Sequence, residues 1–379
     1  MRKVREVVRG AKLLGATLLI CAVAAGGFAQ AKQLAAEQRV QFEDAVSKFM
    51  AANHASGISA AVVENDELVW SEGFGMADLE NSVPATSRTL YRLASVSKPL
   101  TATAAMRLWE RGKLDLDAPV QKYCPAFPQK EWPITTRELL GHLGGIRHYN
   151  SDLQDDPEIG NTKHFESLAD GIKFFANDPL VAKPGTRFHY STQGFTLVGC
   201  AIEGASGEKF ADYLRENIFV PAGMNDTQVD NLIAVIPHRT RYYSKNKSGA
   251  VVNADLLDAS YKIPGGGLLS SADDMARFEI AMLSDALLKR ATRDVMWTPQ
   301  EAADGKRSGY ALGWGTGTQD GVAHVSHTGS QQGTSTAIIL APEKRDAAVV
   351  LINMDEVDAG ALADQLFKLV LTAARATKN

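Results

Sequence analysis

The chain has 379 residues, of which 45% are hydrophobic and 22% are charged, and its formal net charge is −4 at pH 7. These fractions are ordinary for a folded globular protein and exclude a collagen-like, coiled-coil or mainly disordered chain. The small negative charge argues against nucleic-acid binding, and the length suits two domains or one enzyme-sized domain.

The N-terminal segment has the order of features of a secretory signal peptide. Residues 1–12 carry five basic residues and one acidic residue, residues 13–29 are uncharged, and residues 29–31 form a small-x-small cleavage pattern. We therefore predict that residues 1–31 direct export to the periplasm or the medium and are removed. The alternatives are an uncleaved membrane anchor over residues 13–29 and an organelle transit peptide.

The first part of the mature chain predicts one helix followed by a hairpin. Residues 33–52 repeat apolar residues with helical spacing, so we predict an amphipathic helix. Residues 57–63 and 67–74 are rich in strand-forming residues and flank Asn65-Asp66, a hairpin turn signal.

The character of the chain changes to helices and loops from about residue 90 to about residue 290, and the C-terminal part returns to strands. Predicted strands over 310–315 and 322–326 flank Asp320-Gly321, a strong hairpin pair. Further strands follow over 334–341 and 347–353, and an amphipathic helix containing residues 362–370 closes the chain.

This order predicts an α/β (α+β) fold. The hairpins imply an antiparallel sheet, which the two terminal helices would flank, with a mostly helical lobe inserted. We predict one catalytic domain over 32–379, with a sheet region at 32–90 and 300–379 and a helical lobe at 91–299.

The tetrad Ser95-Val96-Ser97-Lys98 is the first candidate for chemistry. Residues three apart share a helix face, so the Lys98 amine can reach the Ser95 hydroxyl and take its proton. Pro99 is tolerated only in the first turn, which places the helix start near Ser95. The positive end of that helix would lower the pKa of Lys98. The same pattern at Ser206–Lys209 and Ser244–Lys247 lies in contexts that favour structural roles.

Two further segments add polar groups. Tyr190-Ser191-Thr192 offers a phenol, and a tyrosine near a cationic lysine can lose its proton more easily and act as a base. His327-Thr328-Gly329 lies at the end of a predicted strand just before Ser330, where the hydroxyl and the glycine can hold a substrate anion and backbone.

Several segments together resemble the serine β-lactamase and penicillin-binding-protein family, in particular its class C-like branch. They are YRLASVSKPLTATAAMRLWERGKLDLDAPV, ITTRELLGHLGGIRHY, FHYSTQGFTLVGCAIE, PGGGLLSSADDMARF, GYALGWG and HTGSQQG. The segments FFANDPL and SYKIPGGGLLS, with the triplet YST, are most similar to the mitochondrial serine β-lactamase-like proteins and their bacterial relatives.

The resemblance implies a set of roles. Ser95 would be the acylated nucleophile, Lys98 its proton partner and Tyr190 a general base. His327 takes the place that a lysine usually holds in the third motif. The backbone N–H groups of Ser95 and Ser330 would form the oxyanion hole.

The chain departs from the family pattern at two positions. Thr192 replaces the asparagine whose amide usually contacts both the lysine and the substrate, so we expect Thr192, Thr328 and Gly329 to bind substrate. At His327 a titratable group replaces a permanent cation. This histidine would either hold a substrate carboxylate as a cation or donate a hydrogen bond as a neutral imidazole.

We predict no cofactor and no metal. The glycines at 265–267 are not followed by the Lys-Ser/Thr pair of a phosphate loop, and the chain has no H-E-x-x-H motif. His324 and His327 would point to opposite faces of a strand, which argues against a shared metal.

The function predicted is an exported serine hydrolase acting on amide or peptide bonds through an acyl-enzyme. An esterase or weak class C-like β-lactamase is the first alternative, and a catalytically silent binding or scaffold protein is the second. The partner expected is a small-molecule or peptide substrate, with membrane contact only if the N-terminal segment stays attached. For Cys124 and Cys200 the sequence favours two small buried side chains, with a disulfide as the alternative.

Overall fold

The structure is a computed structural model, and it describes residues 36–149, 158–303, 305 and 307–376. The predicted signal peptide lies outside these residues. The helices are α1 (Ala36–Asn53), α2 (Ser97–Glu110), α3 (Thr136–Leu140), α4 (Leu168–Ile172), α5 (Thr192–Ser206), α6 (Phe210–Leu214), α7 (Val220–Ala222), α8 (Ile263–Gly266), α9 (Ala272–Leu283), α10 (Arg290–Met296) and α11 (Ala359–Ala376).

The strands are β1 (Gly57–Glu64), β2 (Glu67–Asp78), β3 (Val83–Pro84), β4 (Tyr91–Arg92), β5 (Gln228–Val229), β6 (Tyr243–Lys245), β7 (Val251–Asn253), β8 (Leu268–Ser270), β9 (Gly315–Gln319), β10 (Val322–Gln331), β11 (Thr334–Ala341) and β12 (Asp346–Ile352). Among the described helices, none combines the length and hydropathy that a membrane span requires.

The main sheet joins the two ends of the chain. Its strand order is β3-β2-β1-β12-β11-β10-β9, and each neighbouring pair is antiparallel. The central strands β1 and β12 pair in a register that runs from Ile58 opposite Ile352 to Val63 opposite Ala347. Both are rich in Val, Ile and Ala and almost fully buried, as a strand covered on both faces requires. The antiparallel sheet predicted from the sequence is therefore present.

Alternate residues of β1 enter two different cores. Ile58, Ala60 and Val62 pack with side chains of α1 and α11 on one face of the sheet. Ala61 and Val63 belong to the second core, which extends through α9 and α2 into the helical part of the chain. This alternation is the period of two that a strand imposes, and it fixes the sheet between the terminal helices and the helical segments.

Both predicted hairpin turns are confirmed by their backbone. Asn65 and Asp66 have φ of 50° and 66°, and Asp320 and Gly321 have φ of 49° and 79°. A two-residue hairpin loop with both residues in the left-handed region matches the twist of the strands that flank it.

The predicted strand over residues 310–315 is wrong, because β9 begins only at Gly315. The chain before it turns at Gly313, whose φ is 83°, and the amide of Ala311 donates to the carbonyl of Trp314 at 2.7 Å. A methyl group on Gly313 would lie 2.3 Å from the Ala102 side chain, so the segment packs against α2 as a turn. The alternating pattern of GYALGWG is typical of a strand, so the sequence pattern does not indicate this contact with α2.

Cys124 and Cys200 form a disulfide, so the preference for two separate thiols is wrong. Their Cα atoms are 5.3 Å apart and the sulfur atoms are bonded. The bond ties the segment after the turn Val120–Lys122 to the middle of α5. The two cysteines are 76 residues apart in sequence, and no local sequence pattern indicates that they lie close together in the fold.

Removing this disulfide is expected to lower the free energy of unfolding by about 4 kcal/mol, because the bond closes a loop of 76 residues in the unfolded chain. The measurement is urea unfolding with and without a reducing agent. The matched control is the double variant Cys124→Ala/Cys200→Ala, whose stability a reducing agent should not change. Equal stability of the oxidised protein and the double variant would contradict the prediction.

Candidate functional site

Ser95 lies at the junction between a strand and a helix. The turn Ala94–Val96 follows β4 and leads directly into α2, in which Pro99 is the third residue. The helix therefore begins where Pro99 predicts. Ala94 has a φ of 46°, a backbone conformation that is costly for a residue with a side chain. This bend presents Ser95 at the positive end of α2, with its side chain partly exposed.

Lys98 is fully buried and surrounded by neutral acceptors. Its Nζ donates to Ser95 Oγ at 3.1 Å, to Thr192 Oγ1 at 3.2 Å and to the Gly265 carbonyl at 2.8 Å. None of these three oxygens belongs to a carboxylate. In the uncharged amine, two N–H groups donate and the lone pair accepts, so the bond with Ser95 is then donated by the hydroxyl. Burial, and then the charge of Lys262, lower the pKa of Lys98 well below its usual value. The site thus favours the uncharged amine, which can accept a proton from Ser95.

Tyr190 faces the same pair. Its ring centroid lies 4.7 Å from Lys98 Nζ, and the Ser95 side chain is close enough to oppose in part the effect of burial on the pKa of Tyr190. Burial raises the pKa of Tyr190 above its usual value. The expectation that a cationic lysine would ease its deprotonation is therefore wrong in direction. At neutral pH this phenol keeps its proton and is suited to donate it.

Thr192 lies under Lys98 and not on an open surface. It is the first residue of α5, and the N-cap Ser191 accepts from the amide of Gly194 at 2.9 Å. Its side chain is 2% exposed. A methyl group on Gly265 would lie 2.7 Å from Thr192 Cγ2, so α8 closes tightly against it. The structure therefore places Thr192 as a support for the amine, whereas the sequence suggested a substrate contact.

His327 is held as a neutral imidazole. Its Nδ1 lies 2.6 Å from the Thr328 carbonyl, which can only accept, so Nδ1 carries the proton. Its Nε2 then accepts from the hydroxyl of Tyr310 at 2.8 Å. Burial, with the charge of Lys98, lowers the pKa of His327 to about 3. Of the two forms that the sequence left open, this geometry favours the neutral one.

Strand β10 brings its edge to Ser95. A methyl group on Gly329 would lie 2.9 Å from the Ser95 amide nitrogen and 2.5 Å from the Leu93 carbonyl, so only glycine allows this approach. β9 pairs with β10 only as far as Ser326, and within the described residues no strand covers the same edge of residues 327–331. A backbone edge beside the hydroxyl of Ser95 therefore remains for an extended ligand.

The side chain of Thr328 is not brought to Ser95. Successive strand residues point to opposite faces, and Gly329 is the one directed at the turn. On the other face, Thr328 Cγ2 lies 3.2 Å from the position that a methyl group on Gly360 would take. Any contact of Thr328 with a ligand at Ser95 is therefore through its backbone. Ser330, two residues along, has the same orientation.

Two histidines lie beside the site: the sequence context of His142 predicted a structural or supporting role for it, and His148 was not found from the sequence. His142 is 1% exposed and accepts from the amide of Ser191 at 3.1 Å, and its ring centroid lies 4.3 Å from that of Tyr190 and 4.7 Å from that of Tyr310. His148 accepts from the amide of Thr192 at 3.2 Å. The only local signal in the sequence was the glycine-rich context of His142. In the structure, His142 has a φ of 57°, which is unusual for a residue with a side chain.

The two other S-x-x-K patterns have no such surroundings. Ser206 ends α5 and its hydroxyl donates to the Ile202 carbonyl at 2.7 Å. Ser244 donates to Asp355 at 2.6 Å. Among the residues that the structure describes, no cluster of three His, Cys, Asp or Glu side chains is arranged to hold a metal ion.

Comparison with known proteins agrees with this geometry. The family model described as Beta-lactamase matches residues 42–371. The chain is 34% identical to the serine beta-lactamase-like protein LACTB, mitochondrial, of Homo sapiens, over 78% of this chain and 70% of that protein. It is 28% identical to penicillin-binding protein 4* of Bacillus subtilis (strain 168), over 77% of this chain and 67% of that protein.

A solved structure shows the same fold. The octameric penicillin-binding protein homologue from Pyrococcus abyssi superposes with a TM-score of 0.77 at 27% identity, over 89% of this chain and 77% of that one. The fold is therefore β-lactamase/transpeptidase-like, and the α/β (α+β) arrangement predicted from the sequence, like the fold that the family resemblance implies, is confirmed.

The neutral state of His327 can be measured without a substrate. The ring resonances of His327, assigned by comparison with His327→Gln, are expected to stay constant from pH 5 to 9, because the pKa of His327 is lowered to about 3. Tyr310→Phe removes the hydroxyl that Nε2 accepts from while leaving the ring in place. A titration of the unmodified protein with a midpoint near the unperturbed value of about 6.5 would contradict the assignment.

Proposed function

Because this chain belongs to the β-lactamase family, we propose that it is a serine hydrolase that forms an acyl-enzyme on Ser95 and acts on amide or peptide bonds. The observation that carries the proposal is the buried Lys98, whose Nζ lies 3.1 Å from Ser95 Oγ with no carboxylate among its hydrogen-bond partners. An amine in these surroundings is a base poised beside a nucleophile.

In acylation, Ser95 Oγ attacks the substrate carbonyl and its proton passes to Lys98 Nζ. The bond from carbon to the leaving group breaks, and the phenol of Tyr190 gives its proton to the departing nitrogen. Tyr190 then recovers a proton from Lys98, so both groups return to their neutral forms. The raised pKa of Tyr190 and the lowered pKa of Lys98 suit these roles.

In deacylation, a water molecule gives a proton to Lys98 and its oxygen attacks the ester carbonyl. The bond between that carbon and Ser95 Oγ breaks, and Ser95 takes the proton back from Lys98. The sum of both steps is an amide and water giving a carboxylic acid and an amine. We propose the backbone N–H groups of Ser95 and Ser330 as the donors that stabilise the oxyanion in each step.

The uncovered edge of β10 supports a peptide-like substrate. An extended chain could add to residues 327–331 by backbone hydrogen bonds, with Thr328 and Gly329 contributing through their main chain. An ester or a β-lactam is the second candidate, because the same acyl-enzyme steps would serve it. A silent scaffold is disfavoured by the intact contact between Ser95 and Lys98.

We further propose that the protein works outside the cytoplasm, in the periplasm or the medium. The disulfide supports this, since such bonds persist mainly in oxidising compartments. The features of residues 1–31 point the same way, and retention of that segment would instead anchor the protein to a membrane.

Ser95→Ala is expected to abolish covalent labelling by a fluorophosphonate probe while leaving the fold intact, because it removes only the attacking oxygen. Labelling is measured by intact-protein mass spectrometry, and the fold by thermal unfolding. Ser206→Ala is the matched control, since Ser206 has the same motif but no facing lysine, and it should label normally. Labelling of Ser95→Ala at the wild-type stoichiometry would overturn the proposal.

Tyr190→Phe separates a proton donor from a core residue. For a p-nitroanilide, whose leaving nitrogen needs a proton, kcat/KM is expected to fall by roughly 10²–10⁴. For the p-nitrophenyl ester of the same acyl group, whose leaving group departs as an anion, the loss should be less than about tenfold. Equal losses on both substrates, or a lowered Tm with both rates unchanged, would contradict the role.

A further inference from the structure

A second buried lysine lies behind the pair formed by Ser95 and Lys98. Lys262 ends the turn Ser260–Lys262 immediately before α8 and is 4% exposed. Its Nζ donates to the hydroxyl of Tyr149 at 2.7 Å and lies 4.9 Å and 5.5 Å from the ring centroids of Tyr149 and Tyr261. The amine therefore ends among aromatic rings, with a phenol as its acceptor.

Contacts connect Lys262 to the reactive pair. Tyr149 lies against His148, with ring centroids 4.2 Å apart, and His148 accepts from the amide of Thr192 at 3.2 Å. Thr192 Oγ1 accepts from Lys98 Nζ at 3.2 Å. Lys98 in turn donates to Ser95 Oγ at 3.1 Å. A continuous series of contacts thus runs from Lys262 through Tyr149, His148 and Thr192 to the amine beside Ser95.

The path also has an electrostatic effect. After burial, the positive charge of Lys262 is the charge that lowers the pKa of Lys98. A like charge in the interior disfavours a second ammonium, so Lys98 is kept in the form that can accept a proton. Burial and the charge of Arg92 lower the pKa of Lys262 itself to about 7, against the opposing effect of Glu158. The charged and titratable groups around Lys262 are Arg92, Lys98, His148, Tyr149, Glu158 and Tyr261.

We infer that Lys262 is a positioning residue for the Ser95–Lys98 pair, acting on it through Tyr149, His148 and Thr192. This inference rests on the proposed acyl-enzyme function and adds a residue to it. Lys262 has no hydrogen bond to Ser95 or Lys98, and its own contacts are with Tyr149 and Tyr261. It holds the support of Lys98 in place and supplies the positive charge that keeps Lys98 neutral.

The stability of the fold gives no reason for a lysine at this position. A buried ammonium without a carboxylate in hydrogen-bond contact costs free energy, whereas an apolar chain of similar length would fill the same space without that cost. Lys262→Met should therefore leave the Tm unchanged or raise it, while it impairs the reaction. A residue whose role is only structural would show the opposite result.

The experiment measures kcat/KM against pH for a p-nitrophenyl ester, and Tm, on the full chain. In Lys262→Met, loss of the positive charge should raise the pKa of Lys98 and move the acidic limb of the profile to higher pH, by on the order of 0.5–1 unit. Lys262→Arg keeps the positive charge, so the acidic limb of its kcat/KM profile should stay at the wild-type pH even if kcat/KM is lower. Tyr149→Phe should lower kcat, and combining it with Lys262→Met should cost no more than the worse single variant.

The matched control is Lys130→Met. Lys130 also lies against an aromatic ring, that of Phe127, and donates to the carbonyls of Ala176 and Asp178 at 2.6 Å and 2.8 Å, but it is not linked to Ser95. Its profile should match the wild type.

The inference would be overturned if a folded Lys262→Met variant kept the wild-type kcat and the wild-type position of the acidic limb of the kcat/KM profile. If that variant does not fold, additive losses in Lys262→Arg and Tyr149→Phe would overturn it instead. Absence of a Ser95-dependent adduct in the wild-type protein is a separate result, and it would reject the proposed function.

Discussion

The burial of Lys98 without a carboxylate is the constraint on which the rest of the site depends. An ammonium in a low-dielectric interior is costly in free energy. The neutral acceptors around Lys98 and the lowered pKa of its amine reduce that cost. Thr192 and Gly265 supply two of the acceptors, so the start of α5 and the glycine-rich α8 must both close against α2. Tyr190 and His327 remain uncharged in the same surroundings. The chemistry proposed for this centre is that of neutral groups exchanging protons between a buried amine and a partly exposed hydroxyl.

The site draws on parts of the chain that are far apart in sequence. Ser95 lies on the turn into α2, Tyr190 precedes α5, and Gly329 lies on β10, more than 230 positions after Ser95. The sheet that carries β10 also pairs β1 with β12, which joins the two ends of the described chain. The reactive geometry therefore depends on contacts of long sequence separation, a kind of contact that slows folding.

Local patterns were sufficient for much of the fold and for the reactive pair. The spacing of Ser95 and Lys98 on one helix face, the first-turn proline and the two hairpin turns depend on neighbouring residues alone, and the structure has each of them. The features that the sequence did not predict depend on contacts between segments far apart in the chain. The disulfide, the contact of Tyr310 with His327 and the burial of Thr192 beneath the amine join segments that no local pattern relates. The direction of the pKa shift of Tyr190 failed for the same reason, because burial outweighs the nearby lysine.

The backbone at Ala94 has a consequence for attempts to stabilise this protein. A residue with a side chain at a φ of 46° sacrifices about 1–2 kcal/mol relative to an ordinary conformation. Such strain is retained where the surrounding structure enforces it, and here it is next to Ser95. Libraries screened for heat resistance alone would reward changes that let this turn relax, and they would enrich inert proteins. Selection for robustness and selection for reactivity therefore oppose each other at this position, and a useful screen must apply both.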